Sequence, residues 1–230
     1  MIEISNVEVF GWEAAIRGMR NPKNSWDKSD SRYIKDCHDF LYDCEGCPGD
    51  NDINVCDKIM EHGAFYDIGP NDLKLMKTLA EAGTDHGKFL RMINVFADVN
   101  GPLYWWKEAD TYRFGVEKNS CSTMHKIHAK EFTRNDFSWE HNLYWGNLDH
   151  TIDALNHARE QYLLTKDKKY WYSMIQTLPT SYNQKRTCMF SYAALKNIYH
   201  ARRFHKLDEW RDFCSWIKTL PYSELITGED

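Results

Sequence analysis

No uncharged stretch in these 230 residues approaches the length needed to cross a bilayer. The start, Met1-Ile2-Glu3-Ile4, lacks the basic segment and apolar run of a secretory leader, so the expected location is the cytoplasm. Positive charge is not in excess: 29 Lys and Arg against 34 Asp and Glu give a net charge of -5. That balance excludes a general electrostatic grip on nucleic acid but leaves room for one discrete anionic ligand. Pro and Gly are sparse, at 6 and 12 residues, and nowhere gather into a linker. With no internal repeat and no low-complexity tract, a single domain over residues 1–230 is expected.

Cysteine is present in an odd number, 7, which does not suit a disulfide framework. Four thiols, Cys37, Cys44, Cys47 and Cys56, fall in one polar segment. They include one Cys-x-x-Cys knuckle, with His38 and His62 nearby. Four thiolates suffice for a tetrahedral structural zinc, and reduced, metal-free cysteines are the alternative. The surrounding Asp-, Asn- and Gly-rich stretch, about 21–60, reads as an irregular insertion.

What remains shows periodicity. Ile2, Ile4, Val7 and Val9 suggest a strand with an irregularity near Asn6, leading into a helix over Trp12–Met19. Gly69-Pro70-Asn71-Asp72 opens a helix carrying Leu73, Met76 and Leu79, which Gly83 ends. Ile93, Val95, Ala97 and Val99 alternate as a strand that Asn100-Gly101-Pro102 is expected to stop, with Pro102 as the first residue of the next helix. Helical spacing then marks Ile152, Leu155, Arg159 and Tyr162; Tyr192, Leu195, Ile198 and Arg202; and Trp210, Cys214 and Ile217. Strands early and helices late predict an α+β fold, a mixed or antiparallel sheet packed with helices and a helical C-terminal half.

Between His86 and His125 the chain resembles the flavin-dependent thymidylate synthases. Their Gly-His-x-Ser-x-x-Glu-His run aligns without a gap, with His86 on the first histidine, Lys88 on the serine and Arg91-Met92 on the Glu-His pair. The signature Arg-His-Arg-x-x-Ser-x-Asn-x-x-Ser-x-Arg-Tyr then falls on Tyr112-Arg113-Phe114, Glu117, Asn119, Ser122, Met124 and His125, and only Asn119 and Ser122 are unchanged. Further on, the family's Leu-Pro and its closing helix match Leu178-Pro179, Ser191, Ala193, Leu195, Asn197 and Arg202, followed by Asp208-Glu209-Trp210-Arg211.

The resemblance implies a homotetramer that moves a one-carbon unit from methylene-tetrahydrofolate to dUMP or a related pyrimidine nucleotide. Reduced FAD would carry the unit and NADPH would supply electrons. It implies flavin contacts at Lys88, Asn119, Ser122 and Asn197, and nucleotide contacts at Ser122, Thr123 and Arg202. Arg113 and His125 would stand in for lost charge. Amides and hydroxyls suit a flavin edge, and an arginine fork suits a phosphate. Tyr112, Phe114, Met124 and Ile175 occupy positions where the family has arginine, which removes cations that a pyrophosphate and a phosphate need. The alternative is a non-catalytic nucleotide-binding or regulatory protein that kept the fold and lost the flavin. Trp105-Trp106 and Tyr170-Trp171-Tyr172 are expected in the core rather than against a ligand.

Overall fold

The computed structural model describes residues 2–34 and 65–229. The four candidate zinc ligands, Cys37, Cys44, Cys47 and Cys56, lie outside the described residues. Along the chain the elements are β1 (Glu3–Phe10), α1 (Trp12–Arg20), β2 (Arg32–Ile34), β3 (Phe65–Asp67), α2 (Pro70–Glu81), β4 (Asn94–Pro102), α3 (Leu103–Ala109) and β5 (Val116–Ser120). Then follow α4 (Trp145–Thr165), α5 (Lys168–Thr177), β6 (Asn183–Ser191), α6 (Tyr192–Arg202), α7 (Asp208–Ile217) and α8 (Glu224–Thr227). They fall into two compact units, Met1–Val9 with Asn94–Thr227, and Phe10–Ile93 with the last three residues.

In the larger unit the sheet order is β1-β4-β6-β5. β4 and β6 pair antiparallel from Asn94↔Ser191 to Pro102↔Asn183, and β5 pairs antiparallel with the other edge of β6. Strand β4 therefore does not stop at Asn100. Its ladder continues through Gly101, where any side chain would press on the Trp105 ring and on Ile2, and Pro102 becomes the residue before α3 rather than its first. Asn6 takes a left-handed backbone, φ 52°, at the irregularity expected in β1.

The C-terminal half, expected to be mostly helical, also supplies a strand, and β6 sits inside the sheet. Asn-Gln-Lys-Arg-Thr has almost no β-branched or aromatic character, and its strand conformation comes from being paired on both edges. Gly115 fixes the entry to β5. Its φ of 69° suits glycine, its carbonyl accepts from the Ser191 backbone N–H at 2.8 Å, and a Cβ there would strike the Ser191 hydroxyl. One face of the sheet is closed by α3, α6 and α7 through a continuous aromatic core. Trp105 contacts Trp106, Trp210 and Phe213 with ring centroids 4.6–5.6 Å apart, and Phe213 in turn meets Phe190. Trp105 and Trp106 are thus core residues, as expected. A second core, built on Leu148, Leu155 and Met174, joins α4 to α5 and takes in Trp171 and Ile175.

The smaller unit is organised by one buried ion pair. Arg20, at the end of α1, donates from Nε to Asp72 at 2.6 Å, and its other nitrogens hold the carbonyls of Ser25 and Lys28. The second Asp72 oxygen accepts from the hydroxyls of Ser29 and Ser31. The expected start of α2 at Pro70 is present, but Asp72 turns inward and the carboxylate that caps the helix is that of Asp30, accepting from the backbone N–H groups of Asn71 and Asp72. Gly83, at φ 103°, follows the helix end as predicted.

Burial alone would raise the Asp72 carboxyl, but the hydrogen bonds from Ser29, Ser31 and Arg20, with the charge of Arg20, outweigh it and hold it below its ordinary value. A depressed carboxyl gives stability that is fully present above the unfolded value of 3.8 and is lost as pH falls through the native one. Asp72→Asn leaves Arg20 without its counter-charge and should cost about 3–5 kcal/mol. Denaturant unfolding across pH should show the variant lacking the part of the acid-limb slope that Asp72 contributes; an unchanged midpoint at neutral pH would refute the assignment.

Candidate active site

Directly opposed residues of an antiparallel pair share a face, so the β4–β6 register sorts every side chain of both strands. Val95, Ala97 and Val99 oppose Phe190, Cys188 and Arg186 on the helix-covered face; Phe96, Asp98 and Asn100 oppose Met189, Thr187 and Lys185 on the other. The second face carries a polar cleft of about 340 Å³. Its floor is Glu3 and Ser5 from β1, Asp98 and Asn100 from β4, and Lys185 from β6. Its walls are the segment after β5, Cys121, Ser122 and Thr123, the short turn holding Lys130 and Asp136, and Tyr182 at the entry to β6.

The groups in this cleft are held rigidly. Asp98 accepts from Thr187 at 2.6 Å and Asn6 at 2.9 Å and pairs with Lys185 at 2.8 Å. Hydrogen bonds from Lys185, Thr187 and Asn6 hold the Asp98 carboxyl far below its usual range, and the same contact raises Lys185. Lys130 is paired to Asp136 and raised by it. Gln184 is satisfied at both ends, donating to the Cys121 carbonyl at 2.6 Å and accepting from Arg186 at 3.0 Å. Asn183 accepts from the Ser138 hydroxyl at 2.8 Å. Burial pushes the Tyr182 phenol up, so at neutral pH it stays a protonated donor.

Of the residues singled out in the sequence, Ser122 and Thr123 line this cleft. The Ser122 oxygen accepts from the backbone N–H groups of Met124 and His125, at 3.2 and 2.9 Å, which shapes the loop and leaves its hydroxyl proton for a ligand. Asn119 is exposed on β5 opposite Thr187, on the same face. Asn197 is exposed on α6, whose buried side includes Leu195, Ile198 and Tyr199. Asn119 thus lies on the open face of the sheet, and Asn197 on a helix that covers the other. Lys88 belongs to the smaller unit, exposed and 3.8 Å from Asp85. Arg113 is exposed before β5, and His125 is exposed after Ser122.

Arg202 is already engaged. Its guanidinium pairs with Glu108 at 2.8 Å, donates to the Tyr112 hydroxyl at 2.8 Å, and lies over the Trp210 ring at 4.9 Å. Glu108 also accepts from the Trp210 indole at 3.1 Å. Two further cations are similarly occupied. Lys118 caps the end of α3 through the Ala109 carbonyl and meets Asp110, and Arg186 stacks on Trp106 and pairs with Asp110 at 2.7 Å. Ile175, where the resemblance expects an arginine, packs in the second core. Trp171 of α5 packs there too and donates its indole N–H to the Met124 carbonyl at 2.9 Å, anchoring the loop that holds Ser122.

Sequence reading missed Asp98, Lys130, Tyr182 and Lys185. Asp98 had a signal, an acid at an outward position of an alternating strand. Lys185 had none without β6. Among the described residues no group of three or more His, Cys, Asp or Glu side chains could hold a metal ion, and the three described cysteines, Cys121, Cys188 and Cys214, are free, with burial pushing Cys188 up to about 12.

No protein-family model matches the sequence, and no curated protein is similar to it in sequence. Solved structures are similar in fold. Thymidylate synthase X (ThyX) from Helicobacter pylori, with FAD and dUMP, aligns over 99% of this chain and 98% of its own, with a TM-score of 0.68 and 14% identity. A second structure of that enzyme with FAD and dUMP gives 0.64 at 15% identity over 98% of both chains. The UMP/dUMP methylase PolB from Streptomyces cacaoi, bound with 5-Br dUMP, gives 0.54 at 12% identity over 99% of this chain and 95% of that one. An alignment of this extent fixes the architecture: the chain has the α+β fold of the flavin-dependent thymidylate synthases, with most of that family's signature residues replaced.

Proposed function

We propose that this chain binds a pyrimidine ligand of the nucleotide class in the cleft on the open face of the sheet. The observation that carries the reading is the convergence of Ser122 and Thr123 with Asn100, Asn183 and Tyr182 around about 340 Å³, on a fold whose solved examples hold dUMP or its analogue. Amides, hydroxyls and a protonated phenol complement the mixed donor and acceptor edge of a pyrimidine.

The fuller reading is a one-carbon transfer to dUMP or a related nucleotide, with methylene-tetrahydrofolate as donor, NADPH as reductant and FAD as carrier. Bound flavin would supply the redox and carbon-carrying chemistry. For the chain to hold it, Asn197 on α6 would serve a site built with Asn119 and Ser122 of another copy; the resemblance implies a homotetramer. The flavin's pyrophosphate is poorly served. Tyr112, Phe114, Met124 and Ile175 carry no charge, and Arg202, Arg186 and Lys118 are already paired with Glu108 and Asp110. That pairing favours the second reading, a nucleotide-binding or regulatory protein without flavin.

The two readings separate on purification. An absorption band of bound flavin that survives dialysis supports the enzyme, and its absence together with a dUMP response supports the binding protein. Thermal unfolding with dUMP at about 100 times its dissociation constant should show roughly 2.7 kcal/mol of stabilisation, a rise of about 5–11 °C for a chain of this size. Thr123→Ala and Tyr182→Phe should reduce that rise; no response to any pyrimidine would sink the proposal. Arg202→Ala should lower the unfolding temperature while leaving the dUMP response in place, because Arg202 works as the partner of Glu108. Loss of the response with unchanged stability would return Arg202 to the phosphate.

A further inference from the structure

The cleft carries an unusual charge pattern for a site expected to take a nucleotide. Its lining has three carboxylates, Glu3, Asp98 and Asp136, against two ammonium groups, Lys130 and Lys185. Both lysines are bound to carboxylates of the cleft itself, Lys130 to Asp136 and Lys185 to Asp98. Among the described residues no arginine lines it. A phosphate dianion needs cations whose charge is uncommitted, or it must displace a wall carboxylate and leave that group unpaired. Here entry would set a doubly negative group beside three carboxylates in a partly enclosed space, where repulsion is poorly screened. The uncharged part of the ligand meets no such penalty.

Resting on the reading that this cleft takes a pyrimidine, we infer that it recognises base and sugar and draws no affinity from the phosphate, so that it is a pyrimidine nucleoside site. The lysine–carboxylate pairs act as selectors: each is neutral as a pair, so an uncharged ligand leaves it undisturbed while a phosphate meets the carboxylate of the pair as well as its ammonium group. Asp98 is the decisive member, because Thr187, Asn6 and Lys185 all hold it in place and it cannot swing away from a phosphate.

Isothermal titration of the full chain with 2′-deoxyuridine, thymidine and dUMP at fixed ionic strength tests this. The expected result is a nucleoside dissociation constant equal to or below that of dUMP. Tighter binding of dUMP by about tenfold or more, equivalent to about 1.4 kcal/mol, would overturn the inference while leaving the pyrimidine reading intact. Failure of all three to bind would remove both. Asp98→Asn frees Lys185, and in a folded variant it should shift the ratio toward dUMP by about tenfold, the scale of one new charge-assisted contact; an unchanged ratio would count against the selector role. The wild-type comparison stands by itself if the variant does not fold.

Discussion

The antiparallel register between β4 and β6 is the constraint from which the rest of the larger unit follows. Because side chains alternate with a period of two, a slip of one residue would send Val95, Ala97 and Val99 to solvent and drive Asp98 into the tryptophan core. The ends of β6 are pinned on both of its edges. Gly101 and Pro102 close against Asn183 and Gln184, and the Ser191 backbone N–H is held by the carbonyl of Gly115. Ser191 also caps α6 through the Ala194 N–H, so strand and helix are fixed by the same residue. With the sheet locked in this way, Asp98, Thr187 and Lys185 meet on one face and the aromatic core closes the other.

Charge is handled on that frame in a consistent manner. Positions where the resemblance expects arginine hold Tyr112, Phe114, Met124 and Ile175, and five cations of the larger unit are paired with its own carboxylates. Glu108 serves Arg202, Asp110 serves both Arg186 and Lys118, Asp98 serves Lys185, and Asp136 serves Lys130. The first of these is only partly exposed, so its geometry matters more to stability than that of a fully solvated surface pair.

Much of this fold could be read from the chain, for identifiable reasons. Helices α1, α2, α4, α6 and α7 carry apolar faces at helical spacing, and β4 alternates cleanly; the Asn6 irregularity was visible as a polar break in an apolar run. Strand β6 was not legible because Asn183–Thr187 reads as polar loop, and what makes it a strand is neighbours more than 60 residues away in sequence. Missing β6 hid Lys185 and with it half of the cleft. The gapless match to the signature singled out Ser122 and Thr123, which line the cleft, but it could not reveal that Arg202 already has a partner. Pairing with Glu108 depends on the end of α6 meeting α3, which no local pattern encodes.

The contact between Trp171 and the loop after β5 bears on how such a site changes over generations. The indole donates to the main-chain carbonyl of Met124, not to its side chain. A carbonyl is the same in every residue, so this anchor is blind to what the position encodes. An arginine can be exchanged there for methionine, and the loop presenting Ser122 and Thr123 keeps its shape while its charge drifts. In that sense the scaffold separates the inheritance of geometry from the inheritance of chemistry, and a ligand preference can be rewritten on it without the fold being renegotiated.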